Sequence, residues 1–503
     1  MTYLLGIDIG TSSAKAVLFD VDSSQIVAVA GQEYPIHHPA PDRAEQNPDD
    51  WWRATVTVVR QVTAAAKVDS VAGISFSGQM HGTVMVGEDL KPIAPAIIWA
   101  DQRTGSTVAE LIALLGAEAY AATAGTLPAA GFMAVTLLWL KQYDPALLGR
   151  IHKVMLPKDY VRLRMTGEVA TDPSDAAATA LFNVTTREWA NNIINIAGLP
   201  ADVLPTIRAS VAVAGYLRAD AAAELGLQAG AAVMMGCADQ PAQQIGNGLI
   251  RPGRGSVTTG SGGQVSIPFI RQPGEALRTD PRLHVLNHAV PDTWYVLGAI
   301  LSAGLSLRWL RDLVGLKDVA DAYPQLSAEA ARVSPGANGL IFLPYLTGER
   351  TPHMDALARG SFIGLSAHHT RGHLARAVME GVTFALREAL EISRELGVSA
   401  DTLIAAGGAM ESDVWRHIQA DVFGLPLQRT LLKEQASVGA ALIAGVGAGA
   451  YRDLAEACER TVQYGDITEP DATRHARYDV LYAHFRELYP RLKGDFHRLV
   501  EGW

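Results

Sequence analysis

The sequence predicts an α/β protein in which two similar domains face a central cleft. Three observations predict this class: apolar strand-like runs alternate with a helical segment near the N-terminus, a strand–turn–strand pattern recurs half a chain later, and 49% of the 503 residues are hydrophobic. An order of strands, helix and strand is typical of a mixed sheet with helices and not of a β-sandwich. The length and the apolar fraction are enough for two large domains.

The N-terminal elements follow from apolar runs and capping residues. Strands are predicted at residues 4–9, 16–19, 26–30 and 71–76, with polar turns between the first three. Between the third and fourth strands, Asn47 can cap a helix that starts at Pro48 and runs to about Lys67, because proline suits the first helical position. Asp49 and Asp50 then lie in the first turn, where negative charge is favourable.

The second half of the chain begins with a pattern similar to the first. Residues 7–15 and 257–265 each contain a strand, a turn of Gly, Ser and Thr, and another strand. The match indicates an internal repeat, although Gly/Ser turns are common between strands and a chance match stays open. Gly, Pro and Arg cluster at 247–255. We therefore predict an N-terminal domain at 1–248 and a C-terminal domain at 249–503.

Charge and cysteine content exclude several classes of function. The net charge is −10, which argues against a non-specific surface for nucleic acid or anionic membranes. Cys237 and Cys458 are the only cysteines, too few for a disulfide scaffold or a Cys-rich zinc module. Residues 1–8 lack the basic region of a signal peptide. We expect a protein of the reducing cytosol.

One uncharged stretch, residues 119–140, is long enough to cross a bilayer. Gly125, Pro128 and Gly131 interrupt it, and three threonines lie within it. Such breaks are poorly tolerated by a lipid-exposed helix. We expect a buried loop and helix here and no membrane partner.

The turn after the first strand carries the first chemical motif. Asp8, Gly10, Thr11, Ser12 and Lys15 follow one another in a strand–turn–strand context. Backbone N–H groups and hydroxyls of such a turn can hold phosphate oxygens, Asp8 can hold Mg²⁺ directly or through water, and Lys15 adds positive charge. The alternative is an ordinary exposed hairpin. The later turn at Gly260 and Ser261 gives a weaker signal, since any tight hairpin favours glycine.

Asp239 and Gln240 form the second motif. They follow an apolar strand predicted at 231–235, and active-site groups often lie at the carboxyl ends of strands in open α/β sheets. A carboxylate there can accept a proton from a substrate hydroxyl, and Gln240 can bind a polyol. Asp239 could equally cap a helix beginning near Pro241. The histidines at 368, 369 and 373 lack an acidic or Cys ligand at suitable spacing and predict a solvated loop rather than a metal site.

Together these segments resemble the FGGY carbohydrate kinases, a branch of the actin-like ATPase superfamily, over essentially the whole chain. Residues 360–365, followed by 373–380, resemble the C-terminal signature of the family. Residues 404–409, with Ser412 and Trp415, resemble its adenosine-binding turn. Residues 77–82, 156–160 and 342–352 are most similar to the branch of the family that phosphorylates D-xylulose.

The resemblance implies two ribonuclease H-like domains around a cleft, with ATP on one side and the sugar deep inside. It implies Asp239 as the catalytic base and Asp8 as the acid on the magnesium side. The implied sugar contacts are Met80, His81, Gln240 and Trp99. The implied ATP and phosphate contacts are Gly10, Thr11, Ser12, Lys15, Gly260, Ser261, Gly407, Gly408 and Ala409.

The expected reaction is transfer of the γ-phosphate of ATP, with Mg²⁺, to D-xylulose in xylose catabolism, and the resemblance is compatible with a homodimer. A kinase for another ketose or polyol, such as ribulose or glycerol, is the first alternative; a non-kinase actin-like ATPase is the second. Three departures from the family pattern bear on this. Gln240 replaces the usual Asn, Ser261 replaces Thr and keeps the hydroxyl, and Thr136 replaces a Lys.

Overall fold

Two mixed sheets with flanking helices make up the computed structural model, which describes residues 2–272 and 274–502. The strands of the first half are β1 (Tyr3–Ile9), β2 (Ser13–Asp20), β3 (Gln25–Glu33), β4 (Glu45–Gln46), β5 (Gly73–Gly78), β6 (Val84–Val86), β7 (Ala96–Ile97), β8 (Lys153–Met155), β9 (Ala170–Thr171), β10 (Phe182–Asn183), β11 (Glu188–Trp189), β12 (Thr206–Ile207), β13 (Val213–Tyr216), β14 (Ala232–Met234) and β15 (Cys237–Ala238). Its helices are α1 (Pro48–Ala66), α2 (Gly105–Leu115), α3 (Ala117–Ala124), α4 (Met133–Tyr143), α5 (Pro145–Leu148), α6 (Pro157–Thr166), α7 (Pro173–Ala178), α8 (Asn191–Ala197), α9 (Ala219–Leu225) and α10 (Asp239–Gly246).

The second half continues with the same alternation of strands and helices. Its strands are β16 (Gly253–Thr259), β17 (Gly263–Ile270), β18 (His284–Asn287), β19 (Thr293–Ile300), β20 (Ile341–Leu343), β21 (Ser361–Ile363), β22 (Ala400–Ala406), β23 (Leu427–Thr430) and β24 (Tyr464–Thr468). Its helices are α11 (Gly304–Leu313), α12 (Ala322–Ala331), α13 (Arg371–Glu395), α14 (Asp413–Phe423), α15 (Gln435–Gly447), α16 (Leu454–Thr461) and α17 (Ala472–Glu501), with 3₁₀ turns at Ala337–Gly339 and Gly408–Glu411.

The two large sheets share one topology. The first runs β13-β14-β5-β1-β2-β3, with β15 also paired to β5, and the second runs β18-β19-β17-β16-β22-β23-β24. In the first sheet, β1 pairs antiparallel with its hairpin partner β2 and parallel with β5. In the second sheet, β16 pairs in the same way, antiparallel with β17 and parallel with β22. The internal repeat predicted from the two Gly/Ser/Thr turns is therefore confirmed at the level of the fold.

The helix predicted at 48–67 forms as α1 and begins and ends as its sequence indicates. The side chain of Asn47 accepts a hydrogen bond from the backbone amide of Asp49, Pro48 occupies the first turn, and Lys67 terminates the helix in the left-handed region at φ 56°. One face carries the apolar side chains and packs on β2 and β3. These contacts fix α1 on one side of the first sheet.

Strand β1 is apolar on both faces because helices cover both faces of the sheet. Leu5 and Ile7 point toward the side covered by α1, whereas Leu4 belongs to the cluster on the opposite side, which includes residues of α15. Since side chains alternate along a strand, Asp8 lies on the same side as Leu4 and Gly6, toward α15. The same alternation in β2 places Lys15 on that side with Val17 and Phe19.

Helix α15 comes from the second half of the chain but packs on the first sheet. It contacts β1, β2 and β5 and lies against α10. Glycines permit the close approach: a Cβ added at Gly6 would lie 1.9 Å from the carbonyl oxygen of Ser437, and one at Gly439 would lie 2.0 Å from that of Ala242. At these two glycines α15 therefore meets the first half of the chain backbone to backbone.

The uncharged stretch at 119–140 forms two helical pieces, where we expected a loop and a single helix. It contains most of α3, a loop, and the first two turns of α4, and its apolar side chains are buried in one core cluster. Within residues 2–272 and 274–502, no single helix is both long and apolar enough to cross a bilayer; α2 and α3 meet the criterion only as a pair, bent by 93°.

Candidate active site

The β1–β2 turn is held in place by side chains from the first half. The Gly10 amide donates to the Ser13 carbonyl at 3.0 Å, which closes the turn. Trp99 Nε1 donates to Thr11 Oγ1 at 3.0 Å, and Gln46 Nε2 donates to the Thr11 carbonyl at 2.7 Å. Trp99 is 37% exposed, so part of its side chain stays accessible. The turn is preorganised before any phosphate arrives.

Asp8 lies at the carboxyl end of β1, below this turn. Its Oδ1 accepts a hydrogen bond from Ser77 Oγ at 2.7 Å. Burial raises the pKa of Asp8, and the charge of Glu434 adds to this, whereas the Ser77 hydrogen bond and the charge of Lys15 oppose it. A cation brought by a ligand would offset the burial of this carboxylate.

Lys15, which the resemblance implies as a phosphate contact, is paired with a carboxylate. Its Nζ lies 2.8 Å from Oε2 of Glu434. Glu434 is the residue before α15 and has a left-handed backbone, with φ 54°. The pair joins the two halves of the molecule at the edge of the cleft, and both side chains stay partly exposed. Lys15 can therefore reach a phosphate only by leaving or sharing Glu434.

The β16–β17 turn and the segment after β22 form the wall of one cavity. The carbonyls of Gly260 and Ser261 accept hydrogen bonds from the amides of Gly304 and Ala303 at 2.7 and 2.9 Å, which fixes the turn on the N-terminus of α11. Gly407 has φ 89°, and a Cβ there would lie 2.4 Å from the Thr259 carbonyl oxygen. Only glycine fits so close to β16 with this backbone.

This cavity has a volume of about 760 Å³. Its lining includes Gly260, Ser261, Gly408, Ala409, Leu307 and Trp415. Two groups of residues that the sequence assigned separately, the second phosphate turn and the adenosine-binding turn, thus share a single pocket. Its volume and its mixture of apolar and backbone polar groups suit a nucleoside.

Asp239 is the first residue of α10 and does not cap it. Ala238 occupies the N-cap position, and no side-chain hydrogen bond caps the helix. The helix-cap alternative is therefore wrong. The Ala238 amide donates to Ser174 Oγ at 3.0 Å, which fixes the backbone just before Asp239. Oδ1 of Asp239 is buried and has no hydrogen-bond partner among the described residues.

The pKa of Asp239 is raised to about 7, because the carboxylate is buried and because the charge of Asp8 acts on it; a hydrogen bond from the Gln240 amide opposes the shift. Asp8 and Asp239 therefore lie in one electrostatic environment, although 231 residues separate them in the sequence. A carboxylate with a pKa near neutrality is suited to accept a proton at physiological pH. Gln240 follows on the same helix and is partly exposed.

His81 has a fixed orientation and a fixed tautomer. Its ring stacks on Phe132 with centroids 3.8 Å apart and planes at 10°. Its Nδ1 lies 2.6 Å from the Ala178 carbonyl oxygen, so Nδ1 carries the hydrogen and Nε2 is an acceptor. Burial lowers its pKa to about 3, and the ring is neutral at pH 7. Its backbone is left-handed, with φ 72°.

Met80 precedes His81 and is buried in an apolar cluster with Ala238 and Tyr295. Ala238 adjoins Asp239 in the chain, so Met80 and Asp239 border the same region. His81 is hydrogen-bonded to Ala178 of the same apolar cluster. A joint role of Met80, His81 and Asp239 in binding sugar stays a prediction.

Several supporting residues were missed by the sequence analysis. Lys158 is fully buried, and its Nζ lies 2.7 to 3.0 Å from the carboxylates of Asp159, Asp172 and Asp175. Asp172 accepts a hydrogen bond from Ser174 Oγ, and Ser174 in turn holds the Ala238 amide. The segment at 156–160 carries a family motif whose role its sequence does not reveal. Its lysine organises the buried charges that position the strand leading to Asp239.

Thr136 and the histidine cluster are the remaining positions that the sequence singled out. Thr136 is buried in α4, and its Oγ1 has no hydrogen-bond partner within the described part of the chain. His368 and His369 lie in an exposed loop, as predicted, and bond Ser366, whereas His373 lies in the first turn of α13 and contacts Asn338. No set of three His, Cys, Asp or Glu side chains placed to hold a metal ion occurs in residues 2–272 and 274–502.

Comparison with known proteins gives matches over the whole chain. Residues 3–246 match the model of the N-terminal domain of the FGGY family of carbohydrate kinases, and residues 271–448 match that of its C-terminal domain. A xylulose kinase of Lactococcus lactis is 36% identical over 100% of this chain and 99% of its own, and one of Bacillus subtilis is 34% identical over 98% of each. The crystal structure of xylulose kinase from Rhodospirillum rubrum superposes with a TM-score of 0.92 at 32% identity, covering 99% of this chain and 100% of the other.

Proposed function

Because the chain belongs to the FGGY family of carbohydrate kinases, we propose that it transfers the γ-phosphate of ATP to D-xylulose and releases D-xylulose 5-phosphate and ADP. Full-length similarity to xylulose kinases of several bacteria supports the sugar. The single structural observation that supports the chemistry is Asp239, a buried carboxylate with a pKa of about 7 near the phosphate turn that follows Asp8.

The proposed mechanism assigns one step to each part of the cleft. Asp239 takes the proton from the O5 hydroxyl of D-xylulose while O5 forms a bond to the γ-phosphorus and the bond from that phosphorus to the β-phosphate oxygen breaks. Amides and hydroxyls of the turns at Thr11 and Ser261 stabilise the charge on the transferring group. Met80, His81 and Gln240 hold the sugar so that O5 faces phosphorus.

Mg²⁺ enters this proposal with the nucleotide. Asp8 is a single buried carboxylate, with no set of three ligating side chains around it in the described chain. Such a donor set fits Mg²⁺, which commonly takes one or two carboxylates and fills its other positions with phosphate oxygens and water. Bound there, the ion would neutralise charge on the phosphates. Asp8 and Ser77 would hold and orient it directly or through water.

ADP release in the presence of single sugars tests the proposal. The panel is D-xylulose, L-xylulose, D-ribulose, L-ribulose, gluconate and glycerol, with ATP and Mg²⁺ in each. We expect kcat/KM for D-xylulose to exceed that for glycerol at least about tenfold, since a mismatched set of hydroxyls costs about 1 kcal/mol or more. An equal or higher value for another member would reassign the substrate. ATP hydrolysis that no sugar stimulates would favour a non-kinase ATPase.

A location in the reducing cytosol belongs to the same proposal. Cys237 and Cys458 are both buried and unpaired, as thiols are in a reducing compartment. Homodimerisation stays a prediction from the resemblance, and light scattering of the purified protein would test it.

A further inference from the structure

The region around His81 is enclosed partly by the second half of the chain. Strand β18 approaches the loop between α3 and α4, where the Val285 amide donates to the Gly125 carbonyl at 2.7 Å. Next to it, Nδ1 of His284 lies 2.6 Å from Thr126 Oγ1. These two hydrogen bonds place the His284 ring at the boundary between the halves, close enough to His81 to act on its pKa.

The tautomer of His284 follows from its hydrogen bonds. The Thr126 hydroxyl has one hydrogen, which it donates to the Leu127 carbonyl at 2.9 Å. The hydroxyl must therefore accept from His284, so Nδ1 of His284 carries the hydrogen and Nε2 is an acceptor. Burial lowers the pKa of His284 to about 4 and keeps the ring neutral at pH 7. His81 and His284 thus each offer an unprotonated Nε2.

Arg350 supplies the complementary donors. The Thr351 hydroxyl donates to the Arg282 carbonyl at 3.0 Å and accepts from the Ala299 amide at 3.2 Å, which fixes Arg350 beside the start of β18. Its side chain is partly exposed, and partial burial lowers its pKa while the charge of Glu349 opposes the shift. No hydrogen bond or ion pair joins its guanidinium to residues 2–272 and 274–502. The charge of Arg350 acts on both His81 and His284.

A guanidinium that makes no hydrogen bond within the protein and stays partly accessible keeps its N–H donors free for a ligand. The Nε2 atoms of His81 and His284 accept hydrogen bonds, and the guanidinium of Arg350 donates them. A matching ligand carries hydrogen-bond donors and acceptors on neighbouring atoms. Two adjacent hydroxyls, or a hydroxyl beside a carbonyl, meet this requirement, and a ketose has both arrangements. The missing partner of Arg350 is therefore best supplied by the sugar itself.

We propose that His284 and Arg350 form a second wall of the sugar site, contributed by the C-terminal half, and that together with His81 they determine which hydroxylated substrate is accepted. The inference rests on the proposed function, to which it adds His284 and Arg350 as sugar contacts. Hydroxyls of the sugar donate to Nε2 of His81 and His284, and an oxygen of the sugar accepts from Arg350. The sugar then bridges both halves of the protein.

Two substitutions at His284 separate sugar binding from packing. Asn places an amide group near the position of Nδ1 and can keep the Thr126 contact, but it leaves nothing at Nε2. Gln places an amide oxygen near Nε2 and loses the Thr126 contact. We expect His284→Asn to raise KM for D-xylulose about tenfold or more and His284→Gln to raise it less, with KM for ATP within about twofold in both. A purely structural role predicts the reverse order, with Gln the more damaging.

Arg350→Met tests the donor, with Arg282→Met as a matched control. Arg282 lies near the same loop but is paired with Asp280 and Glu395 and partly exposed. We expect Arg350→Met to weaken D-xylulose binding in calorimetry about tenfold or more, and Arg282→Met to change it less than about twofold. If Arg350→Met does not fold, Arg350→Lys, which keeps charge but loses the planar set of donors, is expected to raise KM for the sugar severalfold.

Wild-type turnover distinguishes failure of this inference from failure of the proposed function. If the wild type phosphorylates a different sugar of the panel, the proposed substrate is wrong and the variants are measured on that sugar. If the wild type uses D-xylulose and the His284 and Arg350 variants keep their sugar KM within about twofold, the second wall is refuted.

Discussion

The carboxylates of Asp8 and Asp239 lie close enough that the charge of Asp8 raises the pKa of Asp239. Asp8 is the last residue but one of β1, and Asp239 is the first residue of α10. Parallel pairing of β1 and β15 with β5 brings these two chain segments to the same edge of the first sheet. Both carboxylates are enclosed, and Lys15 is the cation that acts on Asp8. A nucleotide with its metal ion would enter a site whose charge it balances.

Replacing Asp239 by Asn should separate chemistry from binding. The amide keeps the shape and can still hydrogen-bond the sugar, but it cannot accept a proton. We expect kcat to fall about 10²- to 10⁴-fold and the Kd for D-xylulose in calorimetry to change less than about tenfold. Retention of more than about a tenth of wild-type kcat would overturn the assignment of Asp239 as the base.

The pH dependence of kcat/KM should reflect the pKa of Asp239 in the free enzyme. Only the carboxylate form accepts a proton, so activity should rise with pH up to about 7 and level off above it. His81, with a pKa of about 3, should add no further transition between about pH 5 and 8. Steady-state assays at saturating ATP measure the profile. A flat profile across this range would argue against Asp239 as the group that titrates.

Asp239→Asn should also stabilise the fold at high pH. The folded-state pKa of about 7 is above the usual 3.8, so the wild type loses stability as pH rises between these values, whereas the amide does not titrate. Each pKa unit corresponds to about 1.4 kcal/mol, and relaxation of the surroundings reduces the effect of a buried charge. We expect the variant to be about 2 kcal/mol more stable than wild type at about pH 8 and equal to it at about pH 4. Urea unfolding at both pH values provides the measurement, and a gain that does not depend on pH would exclude this cause.

Substitutions of Lys15 and Glu434 should act in opposite directions on ATP if Lys15 serves phosphate. Lys15→Met removes the cation and should raise KM for ATP severalfold, whereas Glu434→Gln releases Lys15 and should leave KM unchanged or lower it. Because both side chains are partly exposed, either change should cost less than about 1 kcal/mol of stability. Steady-state kinetics at low salt provide the test. If both substitutions raise KM for ATP equally, ATP binding depends on the intact Lys15–Glu434 ion pair and not on a contact of Lys15 with phosphate.

Gly439→Ala should destabilise the contact between the halves. A Cβ at this position would lie 2.0 Å from the Ala242 carbonyl oxygen, so α10 and α15 would have to separate. We expect a loss of about 2–3 kcal/mol in the free energy of unfolding. Gly494→Ala in the exposed part of α17, where nothing lies within 4 Å, is the matched control and should gain about 0.5–1 kcal/mol. Equal effects of the two substitutions would contradict the close approach of α10 and α15.

Features set by local sequence were predicted well. The cap at Asn47, the Gly/Ser/Thr turns and the strand before Asp239 depend on neighbouring residues, and each lies where expected. Strand β14 is one residue shorter at each end than the strand predicted at 231–235. The role of Lys15 could not be read from its turn, since its partner Glu434 is 419 residues away.

The sugar side of the site was only partly accessible to sequence reasoning. Met80 and His81 came from a motif, but no role could be read for His284 or Arg350, because both approach His81 only through the docking of β18 on the α3–α4 loop. Similarly, Ser174 and Lys158 act through buried polar contacts that no periodicity of hydrophobic residues indicates. Long-range polar contacts of this kind depend on the assembled fold.

The packing of α15 on the first sheet has a consequence for how the protein is made. The ribosome releases β1, β2 and β5 well before residues 435–447, which cover one apolar face of these strands and follow them only after most of both sheets has been made. Until then Leu4, Val17 and Phe19 have no covering helix on that side. During that interval the first sheet of the nascent chain has one uncovered apolar face. This face can associate with other chains or bind a chaperone.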